Sequence, residues 1–268
     1  MGFLYHLAYY AQHTYLYIGL RIRYDEEKDS AIRIVGLYTF TSTLVGLFFG
    51  VIISITRDLR WYLRFGAIFY LVSFVVQYTR PSGVDNISHL AVTSSQLLLG
   101  IAGGLFPFPA MAFVQGARDH TQLSTLIGAY MTACRIGGGI GQLLAGAIWT
   151  NALRPRLHEY LGQMMTDFQI EMVYANPGDV DAPSGSPLRM AIVGAFVESH
   201  RYLCAVGIVA STLLIILAFL IRDASLEVPQ DDEGTELGSL SPESTQHKAA
   251  LETATPRPLR PSRFPILM

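Results

Sequence analysis

The sequence predicts an all-α polytopic membrane protein with six transmembrane helices. Composition points there first: of 268 residues 51% are hydrophobic and only 15% charged, against roughly 25% charged in an average soluble domain. The charge is also concentrated, since the last 47 residues hold 13 of the 40 charged side chains. The third observation is a set of long uncharged runs. Residues 34–55, 90–117 and 202–221 are 22, 28 and 20 residues without a charge, and about 20 apolar residues cross a bilayer as a helix. Backbone groups in lipid must be satisfied within the segment, so these runs are read as helices rather than strands.

Three further spans complete the set. Residues 3–20 contain His6 and His13, residues 61–78 contain Arg64 near one end, and residues 121–153 are overlong and contain Arg135. Arg64 is close enough to the end to snorkel. Residues 3–20 lack the basic leader and small-residue cleavage site of a signal peptide.

The connections are short except one. Residues 154–201 form a long loop, expected on the extracellular side. Its first part repeats Leu157, Leu161, Met164, Phe168 and Met172 at steps of three and four, an amphipathic helix too polar to span. Asn176-Pro177-Gly178 and residues 182–187 break it. Residues 188–198 resume helical spacing and lead into the last span. The tail, 227–268, is rich in Pro, Ser, Thr and acid, which predicts a disordered cytoplasmic segment. Lys and Arg nearly balance across the two sets of loops, so the positive-inside rule leaves orientation open.

Composition also excludes classes. A net charge of −2 implies no nucleic-acid partner. Cys134 and Cys204 are isolated in apolar runs, with neither a disulfide framework nor metal spacing. There is no nucleotide-binding loop, no metal-ligand cluster and no catalytic triad, so no enzyme, cofactor or metal site is expected.

Helix packing has its own signature. Gly137 and Gly141 form a G-x-x-x-G pair that Ala145 extends, and small residues every four positions let a second helix approach closely. Gly100, Gly103 and Gly104 precede Pro107 and Pro109, and prolines inside a span remove donors and bend it. Tight packing in any polytopic protein and the bent helices of transporters both fit.

The run Arg135-Ile-Gly-Gly-Gly-Ile-Gly-Gln continues through Trp149, Arg154-Pro-Arg and His158-Glu-Tyr-Leu161. It resembles a late helix and following loop of fungal siderophore-iron transporters of the major facilitator superfamily. Gly185-Ser-Pro-Leu-Arg189, Ser199-His-Arg-Tyr202 and Ile221-Arg-Asp-Ala-Ser-Leu226 are similar to the last loop, final helix and start of the tail. Thr14-Tyr-Leu-Tyr17 and Ser42-Thr-Leu-Val-Gly46 fit earlier helices. The resemblance covers about residues 15–226. It implies the C-terminal part of a 14-helix, proton-coupled importer of ferric siderophores with cytoplasmic termini. Iron then enters only within the transported chelate, and the partners are the bilayer, the siderophore and a missing N-terminal half or a second copy. The plasma membrane is the expected location, an endosomal or vacuolar membrane the alternative. Drug efflux is the rival substrate class. A non-transporting, truncated interaction partner is the rival of a different kind. Two positions depart from the resemblance: His13 stands where members often have an acid, and Arg135 where they usually have a small or neutral polar residue.

Polar residues inside spans are the site candidates, since ionisable groups there are expensive. His6, Tyr10, His13 and Tyr17 recur at spacings of four, three and four, one helical face suited to lining a cavity for a large polar chelate. An interfacial aromatic belt also explains Tyr5, Tyr9 and Tyr10. Gln96 and Gln115 are candidates to bond substrate or a neighbouring helix. Arg135 lies near mid-span, and no Asp or Glu lies in any of the six spans. It is expected to point into the bundle or a wet cavity. Asn86-Ile87-Ser88 is a glycosylation sequon in a short loop, and Ser239, Ser241 and Ser244 are phosphorylation candidates.

Overall fold

The structure is a computed structural model and describes residues 1–23, 28–56, 58–79, 86–116, 123–177, 183 and 185–221. The tail expected over 227–268 lies outside the described residues, as do the sequon side chains. Among the described residues the elements are all helical.

The first span is bent. It forms α1 (Gly2–His13) and α2 (Leu16–Arg23) rather than one helix over 3–20. The Thr14 hydroxyl donates to the Tyr10 carbonyl at 2.5 Å, and the Thr14 N–H bonds the same oxygen. A hydroxyl bonding back four residues bends a helix.

Three helices follow. They are α3 (Lys28–Thr56), α4 (Arg60–Thr79) and α5 (Asn86–Leu105). A break at Phe106 separates α5 from α6 (Pro107–Gln115). Pro107 and Pro109 lack N–H groups, and the residue before a proline avoids regular helix.

The run expected over 121–153 is α7 (Leu123–Ile148) followed by a π turn, Trp149–Leu153. It continues directly into α8 (Arg154–Leu161). After α9 (Asp167–Ala175) comes α10 (Pro187–Leu220), a single helix of 34 residues. Its start is legible locally: Ser186 caps the Arg189 N–H and Pro187 occupies the first turn.

The long connection 154–201 holds α8, α9 and the start of α10, so helix occurs at both ends as its spacing predicts. The single amphipathic helix expected within it is corrected. Leu157 and Leu161 are buried on α8, with Ile170 and Val173 of α9 and Phe196 of α10. Met164, Phe168 and Met172 are exposed. The turn after Leu161 and the Thr166–Gln169 capping box restart the helix on a new face. Arg154 Nε donates to Glu171 at 2.7 Å and ties α8 to α9. That bond holds the Glu171 carboxyl below its ordinary value.

Three helical stretches are long and apolar enough to cross a membrane: Lys28–Thr56, His89–Gln115 and Pro187–Leu220. The sequence reading counted six. The first of the other three is broken at Thr14 into helices of 12 and 8 residues, each too short to cross alone. The other two carry polar groups that lower their apolar content: α4 buries Ser73 and Gln77, and α7 holds Arg135 within a glycine run.

α1 packs chiefly on α7, α3 on α5, and α4 between α5 and α10. A Cβ on Gly137 would collide with the Phe3 carbonyl, and one on Gly141 with the Leu7 carbonyl. Ala145, one turn further, is fully buried. α1 and α7 therefore run in the same direction with their backbones nearly touching. Gly207 of α10 receives the Phe74 ring of α4 in the same way.

Candidate functional site: an aromatic and cationic face on α1 and α7

α1 turns two faces to its surroundings, and the four-residue step separates them. Tyr5 and Tyr9 point into the core. The Tyr5 hydroxyl meets that of Tyr38 at 3.0 Å, and Tyr70 donates to the Tyr5 carbonyl at 2.8 Å. Tyr5 is only 1% exposed. The aromatic-belt reading of Tyr5 and Tyr9 is therefore corrected: both are core residues, the Tyr5 hydroxyl partnered by Tyr38 and the Tyr9 ring packed 4.3 Å from the Tyr38 ring.

The second face carries His6, Tyr10 and His13, all partly exposed. The His6 and Tyr10 rings lie 6.4 Å apart and roughly parallel, and the His13 ring stacks on Tyr9 at 4.9 Å. His6 Nδ1 pairs with the Gly2 carbonyl at 2.9 Å. His13 Nδ1 is buried with no hydrogen-bond partner among the described residues.

The Tyr10 ring rests over Gly138 of α7, so the glycine run that admits α1 also seats this ring. Arg135 lies two residues before Gly137 and is the charged neighbour of His6. It is exposed and stands almost midway along α7, 12 residues from Leu123 and 13 from Ile148. The structure thus brings together His6, Tyr10 and Arg135, with His13 one turn along.

It does not bring in the other candidates. The bend at Thr14 moves Tyr17 onto α2, where it packs beside Leu16, Leu20 and Ile34. The face expected to run from His6 to Tyr17 therefore ends at His13. Gln115 is exposed near the end of α6. Gln96 is fully buried on α5, with neither amide atom hydrogen-bonded among the described residues.

Sequence reading missed a buried pair. Gln12 Nε2 donates to Gln77 Oε1 at 3.0 Å between α1 and α4. Each glutamine is the lone amide in its apolar run, which is the signal that marks such a pair. A cavity of about 1090 Å³ opens elsewhere, between α1, the π turn and α10. It contains none of the sequence-predicted site residues.

The face offers ring surfaces, phenol and imidazole groups, and one guanidinium. That set suits stacking and charge-assisted bonds to a bulky polar or anionic solute. No cluster of three His, Cys, Asp or Glu able to hold a metal occurs among the described residues.

Known proteins are similar in sequence to this chain over most of its length. A siderophore iron transporter of Saccharomyces cerevisiae is 31% identical over 214 residues, 79% of this chain and 34% of its own length. The chain is a relative of the fungal siderophore iron transporters. A siderochrome iron transporter of the major facilitator type from Aspergillus fumigatus is 27% identical over 85% of this chain and 37% of its own length. A siderophore iron transporter of Emericella nidulans is 25% identical over 85% of this chain. The chain spans about a third of the length of these relatives. They are transporters and not enzymes. No protein-family model and no solved structure matches the chain.

Proposed function

We propose that this chain is a helical bundle of a major facilitator transporter, corresponding to the C-terminal part, that imports ferric siderophores with proton coupling. The observation that carries this is the match to siderophore iron transporters over about four fifths of the chain. The relatives favour siderophores over drug efflux.

Six spans belong to this reading. To α3, α5–α6 and α10 it adds α1–α2, α4 and α7 with its π turn. The 20 residues of α4 rise about 30 Å, the thickness of the hydrocarbon core. Met1 and the tail then face the cytosol, residues 154–201 face outside, and the plasma membrane is the site of action. Labelling of intact cells with an impermeant thiol reagent should succeed at Ser184→Cys and fail at Ser239→Cys. The reverse pattern would sink this topology.

His6, Tyr10, His13 and Arg135 line the pathway. Facilitators hold substrate between two bundles near mid-membrane, so the opposing wall comes from a preceding segment or a second copy. α1–α2, α4, α5–α6 and α7 contain no Asp or Glu, and Asp29 of α3 and Glu198 of α10 lie outside the uncharged runs 34–55 and 202–221; on this reading the histidines or the opposing wall carry the proton.

Uptake of an iron-55-labelled ferric hydroxamate siderophore tests the reading in fungal cells without importers of their own. The chain alone should give none, and co-expression with the preceding segment of a relative should restore it. Uptake by the lone chain as a monomer would refute the two-wall arrangement. No uptake in any combination would refute siderophore import.

A further inference from the structure

We infer that the groove between α1, the π turn and α10 is a binding site for one zwitterionic glycerophospholipid carrying a primary ammonium. The site is independent of the substrate pathway and rests only on α10 crossing the bilayer.

The groove's length fits a lipid of one leaflet. Its α10 wall runs from Tyr202 to Leu213, 12 residues, whose 11 steps rise about 16 Å. Half a hydrocarbon core is about 15 Å. Tyr202 stands at the start of the uncharged run and Leu213 near its middle, so the groove descends from the membrane surface to the midplane.

The groove's walls fit an acyl chain. Leu4 and Leu7 of α1 face Leu144 of α7 and Val206 of α10, and Ala147 and Ala205 leave room between them. Val209 and Leu213 are 63% and 47% exposed, so the groove opens sideways onto faces that meet lipid.

The groove's outer end fits a headgroup. Polar lining residues gather there: Asn151 from the π turn, Arg156 and Glu159 from α8, and Tyr202. Arg156 donates to Glu159 at 2.8 Å and pairs with Glu198 at 3.0 Å. One guanidinium between two carboxylates leaves a net negative charge. Glu159 is the more exposed acid, at 64%. A headgroup with adjacent phosphate and ammonium matches this: phosphate against Arg156, ammonium N–H groups donating to Glu159. A purely anionic headgroup meets excess negative charge.

Native mass spectrometry of the full chain in detergent tests this, with phosphatidylethanolamine, phosphatidylcholine and phosphatidylglycerol of identical acyl chains as probes. One phosphatidylethanolamine should be retained at least tenfold more than phosphatidylglycerol. Ala205→Phe, which fills the groove, should reduce retention at least tenfold. Val209→Arg, at an exposed position that tolerates a charge in detergent, should do the same should Ala205→Phe fail to fold. Glu159→Gln should abolish the preference over phosphatidylcholine. Absence of retention, equal retention of all three lipids, or retention unchanged in both groove variants would overturn the proposal. So would loss of a chain dimer in place of a lipid, which would make the groove's occupant a second copy. Siderophore uptake is read separately, so failure here leaves the transport reading standing.

Discussion

The carbonyl oxygen of Phe3 occupies the space that a side chain on Gly137 would need. Backbone stands against backbone there, and Gly141 repeats the contact with Leu7 one turn on. Neither neighbour is a flexible side-chain end that can swing away. Gly137→Val should therefore lower stability by about 1–3 kcal/mol, the cost of overpacking, read as the thermal midpoint in detergent. Gly139 has open space where its Cβ would lie. Gly139→Ala should be neutral or stabilising by up to about 1 kcal/mol, since glycine weakens a helix. Equal losses in both variants would contradict the packing.

The Gln12–Gln77 bond supports a double-mutant cycle. Replacing one glutamine by Leu leaves its buried partner unpaired, which costs about 1–3 kcal/mol. The double variant, Gln12→Leu with Gln77→Leu, should cost less than the two single losses combined. The coupling should be about 0.6–1.7 kcal/mol, the range for bonds between membrane helices. Additive losses in denaturation would show that the two residues do not act as a pair.

The α8–α9 tie should respond to acid. The hydrogen bond from Arg154, with His158 nearby, lowers the Glu171 pKa in the folded state. A depressed carboxylate pKa gives stability that is present above the unfolded value and is lost as pH falls through the folded one. α9 should thus hold at neutral pH and loosen below the ordinary glutamate range. Hydrogen exchange of α9 amides, compared between wild type and Glu171→Gln at each pH, reads this. The protection gap should be full at neutral pH and close in acid. A gap that widens in acid would reverse the sign.

Arg135 places a charge at the middle of α7, where a membrane-centred arginine costs about 2.5–3.5 kcal/mol on insertion scales. It faces open surface beside His6 instead of a buried carboxylate. In a transporting assembly, Arg135→Gln should cut uptake at least tenfold without loss of surface expression, and Arg135→Lys should retain part of it. Unchanged transport by Gln would show that the charge only anchors the helix.

Much of this was legible in the sequence where one residue type dominates a run. The helical class follows from uncharged stretches such as 34–55, and the break before Pro107 from proline chemistry. The Gly137–Gly141 spacing marked a close neighbour but could not say that the neighbour was α1, because contact partners are set by tertiary packing. The bend at Thr14 was missed because a hydroxyl bonding back to Tyr10 leaves no trace in hydropathy, and with it went the place of Tyr17 on the face. Tyr5 and Tyr9 were open to misreading for a similar reason. A tyrosine near a helix start suits a membrane surface and a core equally, until a partner such as Tyr38 is found. The apolar steps from Leu157 to Met172 were real, but a turn at 162–166 reset the phase.

Protection of the α1–α7 face by substrate is the most direct test. In a transporting assembly with Cys134→Ala and Cys204→Ala, Tyr10→Cys would be labelled with an impermeant thiol reagent, with and without a ferric hydroxamate siderophore. The account predicts that labelling of Tyr10→Cys slows at least several-fold when siderophore is present, while Met172→Cys on exposed α9 is unaffected. Equal labelling of Tyr10→Cys with and without siderophore, in an assembly that still transports, would contradict the claim that this face lines the pathway.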